Sequence, residues 1–111
     1  MLQNPGKLKK SAHLLKTLGN PHRLQIILQL LGGEKNVTQI NASIAVSQPA
    51  LSQHLSRLRS AGILGSRREQ RQIFYYLNNQ HIGGLLAVMN DMGQAADSKM
   101  LPQGVTGVMN A

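Results

Sequence analysis

Between Ser47 and Arg71 the chain gathers side chains that hydrogen-bond in both directions and side chains that carry positive charge. Ser47, Gln48, Ser52 and Gln53 fall in one stretch, "VSQPALSQHLSRLRSAGIL", with Ala50, His54 and Arg57 among them. Glutamine can pair bidentately with adenine and arginine with guanine, serine adapts to either, and an alanine methyl suits a thymine methyl. Such a set fits the edges of nucleic-acid bases. Arg67, Arg68 and Arg71 follow, and five of the six arginines lie between Arg57 and Arg71 with Glu69 as their acidic companion. Guanidinium groups so concentrated suit phosphate. From Asn36 to Arg68 there is no carboxylate to repel it. A helix that needs only to stay soluble would more often mix Glu and Lys, and a charge run is commonly just a solvated face.

The 111 residues suffice for one domain and are too few for two ordinary ones. A monomer of this size buries a modest fraction of its surface, so association with a second copy is expected. Twelve Lys and Arg against four Asp and Glu give a net charge of +8, which favours a polyanionic partner, either nucleic acid or an anionic membrane surface. The absence of cysteine excludes disulfides, thiolate metal sites and thiol switches. No run approaches the roughly 18 apolar residues of a spanning helix. "MLQNPGKLKKSAHLL" has no long apolar core behind its lysines, so no secretory signal is expected; no basic amphipathic helix bears aromatic anchors, so no membrane partner is expected, and the expected location is the cytoplasm. No paired acids, nucleophile with its base, or phosphate-cradling glycine loop is visible. Neither an enzyme nor a cofactor is expected.

Helices must hold these side chains. A first helix over 7–18 has Leu8, Leu14, Leu15 and Leu18 on its apolar side, and Gly19 can end it in the left-handed conformation. In "GNPHRLQIILQLLGG", Asn20 can cap a second helix with Pro21 in its first turn. There Leu24, Ile27, Leu28 and Leu31 have the i, i+3, i+4, i+7 spacing of a core-facing stripe. Thr38 is placed to cap a short helix over 39–45 with Ile40 and Ile44 one turn apart. Ser47 is placed to cap the next helix, which has Leu51, Leu55 and Leu58 on its buried edge and Gly62 at its end. The period then changes. In "ILGSRREQRQIFYYL" alternation predicts a β-hairpin turning at 69–72. A last helix is expected over 79–96, with Ile82, Leu85, Leu86, Met89 and Met92 on one side. Within it Gly83 and Gly84 mark either a close helix crossing or a later helix start.

Two helices joined by a tight connection at Val46-Ser47, then a basic hairpin, form a helix-turn-helix with a wing. "VSQPALSQHLSRLRSAGIL" followed by "RREQRQIFYYL" and preceded by "LGNPHRLQIILQLL" closely resembles the ArsR/SmtB family of winged-helix bacterial repressors over about 14–86. The expected class is therefore mainly α with a small β-hairpin, about five helices plus a two-stranded wing. The domain spans 7–97 between flexible segments at 1–6 and 98–111. The resemblance implies a homodimer built from the first helix and the 79–96 helix, double-stranded DNA bound at an inverted-repeat operator, and release on ligand binding. A recognition helix enters the major groove with its N-terminal residues nearest the bases. The expected DNA-binding residues are therefore Ser47, Gln48, Ala50, Ser52, Gln53, His54 and Arg57, joined by Arg67, Arg68 and Arg71 of the wing.

The departures concern the trigger. Asn36 and Thr38 stand where metal-sensing members carry thiolates. For the family's second metal site His81 falls in the right region, but Asn79 replaces the acid, and Met92 and Ala95 occupy the partner positions. Neither metal site is expected. His13, His22 and His54 lie on three different predicted helices and, as candidates for a metal, are read as structural. The stretches "SQPALSQHL" and "IFYYL" are similar to the biofilm- and haemolysin-regulator branch, several of whose members switch through a cysteine pair that this chain lacks. A glycine is common in the family where Gln70 stands, which predicts a different wing turn. The alternative reading is a DNA-organising or anti-silencing protein of the same fold that binds through charge alone.

Overall fold

The computed structural model describes residues 3–100, and the chain divides after Gln80 into two compact units. In the first, α1 (Pro5–Leu18) starts two residues before the expected Lys7, because the Asn4 side chain accepts from the Gly6 and Lys7 amides at 2.8 and 3.3 Å. Gly19 follows its end with φ −80°, not in the left-handed region; its N–H donates to the Lys16 carbonyl instead. Helix α2 (Pro21–Leu30) is capped by Asn20, whose Oδ1 accepts from His22 N at 2.9 Å and Arg23 N at 3.2 Å.

The short helix α3 (Val37–Ser43) is capped by Asn36 and not by Thr38. Both residue types are good caps, but Asn36 has Gln39 three positions on. The two exchange bonds, Gln39 N to Asn36 Oδ1 at 2.8 Å and Asn36 N to Gln39 Oε1 at 2.9 Å, which closes a capping box. Helix α4 (Gln48–Ser60) begins at Ser47, whose Oγ accepts from Ala50 N at 3.3 Å. Gly62 leaves it with φ +78°, a conformation that favours glycine.

The expected two-stranded hairpin is present, and a third, short strand joins its sheet. β1 (Lys35–Asn36) pairs antiparallel with β3 (Gln72–Leu77), which pairs antiparallel with β2 (Leu64–Glu69), in the order β1-β3-β2. A two-residue strand is too short to show an alternation, so β1 left no signal in the sequence. The β2-β3 register runs from Leu64 opposite Leu77 to Glu69 opposite Gln72, leaving Gln70 and Arg71 as the turn. Gln70 adopts φ +57°, so the left-handed turn is kept with a side chain in it. Across the strands Tyr76 lies over Gly65, where a Cβ would meet its ring at 2.5 Å.

The core of this unit joins Leu18 of α1, Ile26, Ile27 and Leu30 of α2, Ile40 and Ile44, Leu51, Leu55 and Leu58 of α4, and Ile63 and Leu64. The stripe of α2 differs from expectation: Leu28 and Leu31 are 56% and 48% exposed. With six aliphatic residues from Leu24 to Leu31, the helical period permits more than one stripe, and packing against α4 selects Ile26-Ile27-Leu30. On α1, Leu8 and Leu15 are likewise exposed.

The second unit contains α5 (Ile82–Met100). It starts at neither Asn79 nor beyond Gly84; both glycines lie in its first turn, and a Cβ on Gly84 would meet nothing within 4 Å. Val88, Met89 and Met92 are exposed along it. Residues 98–100 continue this helix, and the rest of the expected tail, 101–111, lies outside the described residues.

Candidate nucleic-acid interface

Helix α4 owes its position to its apolar edge. Leu51, Leu55 and Leu58 are at most 1% exposed, which turns the opposite side outward. At 100° per residue that outer side is a crest of Pro49, Gln53, Ser56 and Ser60, flanked by Gln48, Ser52 and Arg59 on one shoulder and by Ala50, His54 and Arg57 on the other. Gln48, Ser52, Gln53 and Arg57 are exposed, and Ala50 is half-buried. Ser47 has its hydroxyl engaged as the cap.

The first shoulder faces the wing. Gln48 and Ser52 share a groove of about 310 Å³ with Thr38 of α3 and with Arg71, Gln72 and Tyr75 of the wing. One wall is pinned by Asn36 Nδ2 donating to Gln72 Oε1 at 2.6 Å. Farther along, Ser52, Ser56, Arg59 and Ser60 line a second groove that shares Val37 and Tyr75 with the first. Thr38 and Arg59 were missed as site residues. Arg59 was legible, since it stands seven residues after Ser52 and so on the same side of a helix.

His54 does not share the crest. Its half-buried ring turns toward α2, with Nδ1 3.3 Å from the Arg23 guanidinium and its centroid 5.7 Å from that of His22. Burial holds its pKa below the usual 6.5, and the charges of Arg23, His22 and Arg57 push it the same way.

Strand alternation separates the wing arginines. Arg67 stands opposite Phe74, and Arg68 opposite Ile73, on the other face of the sheet. Arg67 is bound to two carboxylates: Nε donates to Glu34 Oε1 at 2.9 Å and Nη1 to Glu69 Oε1 at 2.6 Å, and its guanidinium lies 4.6 Å from the Phe74 centroid. The two acids raise the Arg67 pKa further above its already high value, and hydrogen bonding from Arg67 lowers that of Glu34. Two of the four acids in the chain thereby share one guanidinium beside the wing. Arg68 and Arg71 are exposed and form no ion pair among the described residues.

The positions of the family's metal sites do not fit a metal here. Asn36 commits its side chain to the capping box and to Gln72, and Thr38 lines the groove beside Gln48. Met92 is exposed, and the side chain of Ala95 lies outside the described residues. Among the described residues no three His, Cys, Asp or Glu side chains converge as metal ligands.

A helix-turn-helix whose second helix presents amides and hydroxyls, followed by a basic β-wing, defines a winged helix-turn-helix protein. Residues 20–66 match the family described as bacterial regulatory protein, arsR family. The transcriptional activator HlyU of Vibrio cholerae is 36% identical over 81 residues, which are 73% of this chain and 75% of that protein. The biofilm growth-associated repressor of Agrobacterium fabrum is 44% identical over 78 residues, 70% of this chain and 67% of that one. Among solved structures, the transcriptional repressor BigR from Xylella fastidiosa superposes with a TM-score of 0.71 at 37% identity, covering 78% of this chain and 89% of that one. The chain belongs to the arsR family of bacterial transcriptional regulators. Its relatives are regulators, not enzymes. No helix among the described residues is long and apolar enough to cross a membrane.

Proposed function

We propose that the chain is a cytoplasmic, sequence-specific repressor that binds an inverted-repeat operator as a homodimer, without metal or thiol sensing. The observation that carries this is the carboxylate-free outer side of α4, where Gln48, Ser52 and Gln53 are exposed while the leucines opposite are buried. Binding by charge alone has no use for amides there. In this reading Gln48, Ser52 and Gln53 meet base edges, Ala50 and Arg57 stand beside them, and Arg68 and Arg71 meet phosphates. Arg67 and His54 hold the wing and the helix in place. Ser47 sets the start of the helix.

The 7–97 segment is the functional domain in this reading, with α1 and α5 supplying the dimer interface. In support, each of these helices separately exposes large apolar side chains, Leu8 and Leu15 on one and Val88 and Met92 on the other. A two-fold axis would set the recognition helices about one DNA turn apart, roughly 34 Å.

The test is selection of bound genomic fragments by the purified protein at physiological salt with excess random competitor. Recovery of an inverted repeat with half-sites one turn apart supports the specific regulator. Broad retention without a motif, collapsing as salt rises, supports the charge-driven DNA organiser instead.

A further inference from the structure

The crest of α4 has a depression on each side. Opposite the wing, the C-terminal half of α4 and the last turns of α1 enclose a cleft of about 230 Å³ whose lining includes His13, Lys16, Arg23, Ser56, Arg57 and Ser60 and no carboxylate. Ser56 and Ser60 also line the groove on the wing side, so they form the ridge between the two depressions. A helix lying in a major groove about 12 Å wide has a sugar-phosphate wall on either side of it. One wall falls to the wing. The other must meet whatever stands on the α1 side.

We infer that the cleft between α1 and α4 receives a DNA backbone phosphate, held by Lys16 and Arg57, from the groove wall opposite the one the wing meets. This deepens the proposed DNA-binding reading and rests on it. Three observations support the assignment. Lys16 and Arg57 are exposed and form no ion pair among the described residues, so both are available to an anion. Arg23 is fixed behind them, its Nε donating to the Thr17 carbonyl and Nη2 to the Lys16 carbonyl, and it supplies a stationary positive charge that costs little to order. The hydroxyls of Ser56 and Ser60 add donors at the rim. The electrostatics agree: beyond the burial that chiefly lowers the His54 pKa, the charges of Arg23, His22 and Arg57 lower it further. A potential that disfavours a cation there favours an anion.

On this assignment Arg57 contacts the backbone and not a base. Lys16→Gln and Arg57→Gln, measured on operator and on random fragments across a salt series, separate the outcomes. Expected for each is the same fractional loss of affinity on both kinds of DNA, with the slope of log K against log salt shallower by about 1.8, one phosphate contact from each protomer of the dimer. Lys16→Arg restores the slope, which a loss of folding would not allow. If neither Gln variant changes the slope while Arg68→Gln does, the cleft binds no phosphate and the DNA-binding reading stands. Loss of discrimination in Arg57→Gln, with the slope unchanged, returns Arg57 to base contact and also overturns the inference. If wild-type protein binds neither kind of DNA, the underlying reading fails and the inference falls with it.

Discussion

Helices α2 and α4 begin alike and end in opposite roles. Each opens on a capping side chain with a proline in its first turn, and each buries three aliphatic residues in the same core. What they leave outside differs. Helix α2 turns Leu28 to solvent, with Leu31 just past its end, whereas α4 turns out Gln48, Ser52, Gln53 and Ser56. An apolar side can offer a partner only area, at about 25 cal/mol per Å² buried. A side of amides and hydroxyls can discriminate, because it satisfies one pattern of donors and acceptors and leaves another unpaired. Two helices built by one folding logic thus leave different chemistry outside, set by the residues that folding does not consume.

The largest effect expected from this comparison lies on α2. Ile27 is fully buried and Leu28 is its neighbour on the exposed side. Ile27→Ala should cost about 2–5 kcal/mol in urea unfolding, through lost transfer energy and the cavity left behind. Leu28→Ala should stay within about 1 kcal/mol. If the two cost the same, the outer side of α2 is covered in solution, and the contrast with α4 disappears.

On α4 the outer side should matter to binding and hardly to folding. Gln53→Ala is expected to weaken operator binding by about 1–3 kcal/mol and to relax base preference at one position. Arg68→Ala should weaken operator and random DNA by a similar factor. Equal losses on both DNAs for Gln53→Ala would remove Gln53 from base reading and leave it a solvated residue.

The wing turn offers a smaller test. Gln70 holds φ +57°, which costs an L-residue about 1–2 kcal/mol, and glycine avoids that strain while losing more freedom on folding. Gln70→Gly should therefore raise wing stability by about 0.5 kcal/mol, read as slower amide exchange at Glu69 and Gln72. Unchanged or faster exchange would show that the Gln70 side chain compensates for its backbone.

How far the sequence disclosed this arrangement depended on how many residues voted for each feature. The core edge of α4 was legible because Leu51, Leu55 and Leu58 stand among polar residues, so one stripe alone fits the helical period. The stripe of α2 was not, since aliphatic residues from Leu24 to Leu31 satisfy more than one phase and tertiary packing decided. The hairpin was legible from alternation, and the three aromatic residues of the chain lie on β3. Strand β1 and the engagement of Arg67 were invisible for a common reason. Glu34 and Arg67 are 33 residues apart, and nothing local announces that β1 will bring them together. Within the candidate site, residue types identified the exposed amides, while only coordinates could show that His54 faces α2 and that Thr38 and Arg59 line the grooves.

His54 is where the two compared helices touch polar groups, and it supplies the smallest effect. Its Nδ1 lies within hydrogen-bonding distance of the Arg23 guanidinium, which holds the end of α1 through the Thr17 and Lys16 carbonyls. That bond needs a neutral ring with its proton on Nε2. The folded-state pKa is lowered, so between the folded value and the unfolded 6.5 the unfolded chain binds more protons. Stability from this group is accordingly complete above pH 6.5 and is lost as the pH falls through the window below it. Because the ring is only half-buried, solvent screening keeps the loss small. His54→Gln keeps an acceptor for Arg23 and removes the titration, so its urea stability should fall less between pH 7.5 and 5.5 than that of the wild type. An equal fall in both would detach the pH dependence from His54 and leave its contact with Arg23 indifferent to protons.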